Sequence, residues 1–350
     1  MSHNILITGG SGYLGGDLLG RWGKANLPPY NKLYALVRTD TQAKAVKQYG
    51  AEPISFNPKD ETAVRSAVIK NSISVVYYLI DALRFEVPSY FIKALAEVKK
   101  NTGREVHFLH TTGAKLFSSH AGAPHDKPLL DTDPELYNIQ KSQNAPYEIM
   151  RTGVKTNCSV IEEAEKYGVR SYIFAPCIVY GESEGFGNRI SIQTVAVVRA
   201  AIAVKHLYRV DSGRPTWPVC HVADNTSLYI ELLRKILADE NPGYGKNGYY
   251  LASSGSVAWD DIYAAMAASL AKRNAVVDKS VITADDEILE QLGQALGTTK
   301  ELVPVMIGGK CTFTAARGEK ELGWKPVYKP EHILEDADAE VERILKNLNA

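Results

Sequence analysis

The chain has 350 residues, 45% hydrophobic and 23% charged, the proportions of a globular protein large enough for one big domain or two lobes. Lys plus Arg and Asp plus Glu number 40 each, so a net charge near zero gives no overall pull toward nucleic acid or an anionic membrane. No apolar run approaches the ~18 residues of a membrane span, and "MSHNILITGG" lacks a basic stretch followed by a long apolar core; the expectation is a soluble, cytoplasmic protein.

In chain order, "NILIT" reads as a first strand. "YLGGDLLGRWGKA" follows, with Leu14, Leu18, Leu19 and Trp22 at helical spacing. "LYALVR" is a second strand and "TQAKAVKQYG" a helix stopped by Gly50. "AEPISF" is a third strand, and "PKDETAVRSAVIK" a helix opening on Pro58. "SVVYYLI" is apolar enough to be a strand buried on both faces. A helix over "PSYFIKALAEVKK", a fifth strand "EVHFLHTT", a long helix from Pro146 to Tyr167 and a sixth strand "RSYIFAPCIVYG" complete the first half. This alternation predicts an α/β protein, a Rossmann-type doubly wound parallel sheet over residues 1–180. After Gly181 the strands thin out. The loop "GESEGFGNRIS", the helices "IQTVAVVRAAIAVK", "TSLYIELLRKILADE" and "WDDIYAAMAASLAK", and the short strand "GYYLASSG" read as a smaller C-terminal substrate lobe over 181–350. The stretch 217–235 is expected to return to the first lobe.

The glycines of "TGGSGYLG" stand as G-x-x-G-x-x-G at Gly9, Gly12 and Gly15. They follow a strand and open a helix, the context in which bare backbone turns tightly and offers free N–H groups to a pyrophosphate. About 20 positions on, where an acidic residue would bind a ribose 2′-hydroxyl, stands Arg38. A guanidinium there suits a 2′-phosphate, so the expected cofactor is NADP. The four cysteines, Cys158, Cys177, Cys220 and Cys311, form no C-x-x-C pair, and the eight histidines form no H-x-x-x-H pattern. Neither a disulfide framework nor a metal site is expected.

"ILITGGSGYLG", "LVR", "SVVYYLI", "FAPCIVYG", "CHVADNTSLYIELL" and "ARGEKELGWKP" stand in the order seen in extended short-chain dehydrogenase/reductases. Over nearly its whole length the chain resembles that NAD(P)-dependent epimerase/dehydratase family, and "GFGNRISIQ" followed by "CHVAD" resembles a divergent subgroup of it. The resemblance implies Ser11, Tyr13 and Leu14 along the pyrophosphate. It implies Asn57 near the adenine in place of the usual aspartate, Ile80 and Asp81 beside adenine and ribose, and Thr111 near the nicotinamide ribose. It also implies a homodimer built on the helix after "PSY" and the one over 146–167.

Family chemistry rests on a Ser/Thr and a Tyr-x-x-x-Lys pair. Here Gly113 falls at the Ser/Thr position, with Thr112 beside it as the substitute. Tyr147 and Arg151 have the right spacing on one helix face, with arginine for lysine. Their use requires a two-residue insertion before the sixth strand. A gap-free count back from Pro176 puts Ile149 and Gly153 at the tyrosine and lysine positions instead. Lys155 lies one turn beyond Arg151, and His125 is an alternative acid or base. The catalytic candidates are Thr112, Tyr147 and Arg151. On the sixth strand "APCIVYG" puts Ala175 and Ile178 where nucleotide-sugar enzymes of the family carry Arg and Asn, which argues against that substrate class. Tyr180, Phe186 and Trp217 suggest an apolar pocket, with Arg189 or Arg214 available to an acidic group. The expected activity is NADPH-dependent reduction of a carbonyl or related unsaturated group on a small, fairly apolar molecule. The alternatives are a dinucleotide-binding sensor without chemistry and an epimerase that holds its NADP.

Overall fold

A computed structural model describes residues 2–348. Seven strands build the main sheet: β1 (Asn4–Ile7), β2 (Lys32–Leu36), β3 (Glu52–Ile54), β4 (Val75–Tyr78), β5 (His107–Thr111), β6 (Arg170–Pro176) and, far along the chain, Tyr249–Ala252. The last of these pairs with β6, so the spatial order runs from it through β6, β5, β4, β1, β2 to β3. Every pairing is parallel, with Ile5 opposite both Leu33 and Val75. All residues of β1 and β4 are buried, as expected when helices cover both faces of a sheet.

Helix α1 (Tyr13–Trp22) follows β1, α2 (Asp40–Lys47) follows β2, α3 (Glu61–Lys70) follows β3 and α4 (Glu86–Thr102) follows β4. Pro58 does not start α3: the Asp60 carboxylate accepts from Ala63 N at 3.1 Å and caps it. The long helix α5 is Glu148–Tyr167, closed by Gly168 at φ +67°.

The expected sixth strand divides. Pro176 has no N–H with which to extend the ladder, and after Cys177 the chain enters a second sheet as β7 (Ile178–Tyr180). There β7 lies parallel to β8 (Thr216–His221), which pairs antiparallel with Gly255–Ala258. The expected boundary at residue 180 is crossed twice. Helix Val222–Leu237 packs on α1. Tyr249–Ala252, read as part of the small lobe, instead extends the main sheet beyond β6. The pattern of "GYYLASSG" marks a buried strand and says nothing about which sheet edge receives it. Helices Gln193–Val204, Asp286–Leu296 and Val303–Ile307 form the lobe that faces the strand ends. Among the described residues no helix is long and apolar enough to cross a membrane.

Candidate active site

The strand order reverses between β1 and β4, and ligands of open α/β sheets enter at such a switch point, beyond the carboxyl ends of the strands. A cavity of about 710 Å³ opens there. Gly9, Gly12, Tyr13, Leu14 and Gly15 form one wall. Gly9 has φ +72°, and a Cβ on it would lie 2.8 Å from the Leu79 carbonyl oxygen. A Cβ on Gly15 would collide with the Gly9 carbonyl. Gly12, at the cap of α1, has no side chain to satisfy the first-turn N–H groups, and no acidic residue stands in that turn. Open N–H groups at the positive end of a helix dipole fit the pyrophosphate of a dinucleotide.

The other residues expected at a cofactor divide between the cavity wall and its outside. Thr111, ending β5, lines the cavity, and its hydroxyl shares a 2.8 Å hydrogen bond with the Tyr229 hydroxyl. Ser11, Arg38, Asn57, Ile80 and Asp81 stand outside the cavity wall, in the turn itself and just past β2, β3 and β4. Arg38 is exposed, its backbone N–H held by Gln42. Asn57 Oδ1 accepts from Lys59 N, and Asp81 Oδ1 accepts from Leu83 N at 2.8 Å.

The opposite wall comes from the segment after β5. Thr112 N donates to Phe174 O at 2.8 Å, prolonging the β5–β6 ladder by one residue. A tight turn over Ala114–Phe117 follows. Gln143 Nε2 holds that turn through the carbonyls of Leu116 and Ala121. Two polar side chains result in the wall. Thr112 is buried, and its Oγ1 has no hydrogen-bond partner among the described residues. Lys115 is the one charged side chain among the described residues lining the cavity. Loss of hydration pushes its pKa down to about 8. Around them stand Leu83, Leu116, Met150, Val179, Leu302 and Val305. Lys115 is not among the residues the sequence reading singles out. The available signal is a lone lysine inside the apolar run "GAKLF".

Helix α5 presents Ile149 and Met150 to the cavity. Gly153 lies on the same side and receives Leu116, whose Cδ atoms would be 2.7 and 2.8 Å from a Cβ there. This arrangement agrees with the gap-free count. Tyr147 and Arg151 are not in the cavity wall. Arg151 stands about 200° around the helix from Ile149, and Tyr147 precedes the helix in extended backbone. Tyr147 caps the helix, and Arg151 Nη1 donates to the carbonyls of Ala145 and Pro146 at 2.8 and 2.9 Å. Lys155 is exposed. The other polar candidates are engaged elsewhere: Arg189 with Glu182, Arg214 with Asp261, and His125 with its own loop. Tyr180 contacts His332, Phe186 leans on Tyr49, and Trp217 packs on Trp259, so none of the three aromatics enters the wall.

A seven-stranded parallel sheet with a glycine turn at its switch point and a second lobe over the strand ends defines an enzyme of the extended short-chain dehydrogenase/reductase class. The family model for the NAD dependent epimerase/dehydratase family matches residues 5–244, and the chain belongs to that family. It is similar to the oxidase ucsJ of an Acremonium species, 21% identical over 94% of each chain. Its fold is similar to that of a dTDP-glucose 4,6-dehydratase from Bacillus anthracis in complex with NAD, with a TM-score of 0.64 and 12% identity over 98% of this chain and 97% of the other. A UDP-glucose 4-epimerase from Bifidobacterium longum, in complex with NAD+ and UDP, gives a TM-score of 0.64 with 13% identity over 99% of both chains.

Proposed function

We propose that this protein is an NADPH-dependent oxidoreductase that reduces a carbonyl or related unsaturated group on a small, largely apolar molecule. The observation that carries the reading is the wall itself: the Thr112 hydroxyl, without a partner among the described residues, and the Lys115 ammonium, stripped of hydration, in a largely apolar cavity shared with the glycine turn. The dinucleotide supplies the hydride when bound. Thr112 and Lys115 donate hydrogen bonds to the substrate oxygen and stabilise the negative charge that develops on it. Lys115 then gives that oxygen a proton and recovers one from solvent. Ile149, Met150 and Leu302 exclude water and select an apolar body. The roles expected of Tyr147 and Arg151 pass to Lys115 in this proposal. The polar side chains of the wall, Asn188, Gln193 and Thr298 among them, are outnumbered by aliphatic ones, which favours an apolar substrate over a sugar nucleotide.

The exposed Arg38 supports NADPH over NADH, because its guanidinium has no acidic partner among the described residues to compete with a 2′-phosphate. The test is absorbance of NADPH across a panel of apolar ketones, aldehydes and activated alkenes, with cofactor affinities measured by titration. Consumption of NADPH, and a loss of affinity in Arg38→Ala of about tenfold for NADPH but not NADH, is the expected result. Equal affinity for the two cofactors in the unaltered protein overturns the NADPH assignment. Product without net cofactor consumption identifies an epimerase. Binding without turnover on any substrate leaves the sensor reading. A homodimer through α4 and α5, which pack side by side, belongs to the same proposal and is read from the mass in solution.

A further inference from the structure

Between β7 and the helix Gln193–Val204 the chain does not cross directly from one lobe to the other. Residues 183–189 form a closed loop. Ser183 N donates to Arg189 O, and Arg189 Nε donates to Ser183 O at 2.9 Å. The loop lies flat along α1. Tyr13 OH donates to Gly181 O at 2.7 Å, and Ser183 Oγ donates to Tyr13 O at 3.1 Å. Glu184 N donates to the buried Asp17 carboxylate at 2.8 Å, while the Glu184 carboxylate meets Arg21 and Lys24 at 3.1 and 2.8 Å. Gly185 is pressed against Gly16: a Cβ on it would lie 2.6 Å from the Gly16 Cα. At the far end Asn188 N donates to the Ser11 carbonyl at 2.9 Å, and a Cβ on Gly187 would collide with that carbonyl. Asn188, Ile192 and Gln193 then line the cavity.

A loop needed only to connect two elements would be solvated and free of such contacts. This one holds the glycine turn at Ser11 and at Tyr13, and continues into the substrate side of the same cavity. We propose that residues 181–188 are a strap that fixes the glycine turn in its phosphate-receiving form, and that bound dinucleotide leaves only when the strap lifts. Gly185, Gly187 and Glu184 are positioning residues, acting on the cofactor through the turn they hold. The proposal rests on a dinucleotide occupying that turn.

The experiment is stopped-flow fluorescence of NADPH and of NADH release from the full chain, comparing the unaltered protein with Gly187→Ala and Glu184→Ala. Melting temperatures without cofactor are measured alongside. Glu184 is partly exposed, so its variant keeps the test available if Gly187→Ala does not fold. Release faster by about tenfold in a folded variant is the expected result, with the affinity loss in the release rate and not in association. A loop that merely buttresses α1 lowers the melting temperature and leaves the release rate unchanged, and that outcome overturns the strap. Absence of any binding signal for either dinucleotide in the unaltered protein overturns the dinucleotide reading itself, and the strap with it.

Discussion

Lys115 stands in the cavity wall with no acidic residue among the described residues beside it. Burial of an uncompensated ammonium disfavours its charged form, which brings its pKa to about 8 against an ordinary 10.5. At pH 7 most of it remains protonated, so it can hold and protonate an oxygen, and the free base forms as pH rises through 8. The sign follows: kcat/KM for NADPH-dependent turnover should be level below about pH 7 and fall above about pH 8. Lys115→Met should lower it by 100-fold or more, on the order of 3 kcal/mol of lost stabilisation, and remove the alkaline limb. Lys115→Arg should restore little, because a planar guanidinium neither fits a point-charge site nor gives up a proton near neutrality. A retained alkaline limb in Lys115→Met would assign it to another group. Tyr147, held at the cap of α5 outside the wall, gives the opposite expectation. Tyr147→Phe should leave turnover within about twofold, and a loss of 100-fold in steady-state rates would return the proton to that tyrosine.

At the scale of elements, the first half was legible because each strand carries its own apolar run and each helix its own periodicity. The glycine turn was legible for the same local reason: Gly9, Gly12 and Gly15 are adjacent in sequence and act together. The wall opposite it was not. Lys115 and Ile149 are 34 positions apart, and only packing puts them in one cavity. The spacing of Tyr147 and Arg151 defines a helix face and cannot say which way it points. One contact on the side that faces the wall is Leu116 filling the notch at Gly153. On a free helix Gly153→Ala would stabilise by about 1 kcal/mol. Here the added methyl must displace Leu116, at a cost of about 1–3 kcal/mol for an overpacked contact. The single variant should therefore be destabilised in urea. In a Leu116→Ala background the same change should stabilise, a reversal of sign that measures the contact. Additivity across the two sites would mean that the two residues are not coupled.

For the whole molecule, buried histidines tie stability to pH. His3, beside Ser74 at 2.9 Å, His110, stacked on Tyr78, and His221, the cap of Val222–Leu237, lie in three different regions. Burial is the first cause in each case, and each pKa is lowered to about 4 from an ordinary 6.5. Between pH 6.5 and 4 the unfolded chain therefore binds up to three protons that the folded chain does not. Stability from these groups is complete above pH 6.5 and is lost as pH falls toward 4, by up to about 1.4 kcal/mol per pH unit for each histidine. Asp131 acts in the other direction. Burial raises its carboxyl from 3.8 to about 7, so below pH 7 the folded chain takes up a proton there first, and that one uptake offsets one histidine. Burial also lowers His107 and His120 and raises Asp211 and Asp224, so the lowered histidines outnumber the raised carboxylates five to three and the balance is a loss. The melting temperature should fall steadily from pH 7 to pH 5, and His110→Phe, which keeps the stack on Tyr78 without a titrating ring, should make that fall less steep. A melting temperature that is level, or that rises toward pH 5, would mean that these rings are already charged in the folded protein.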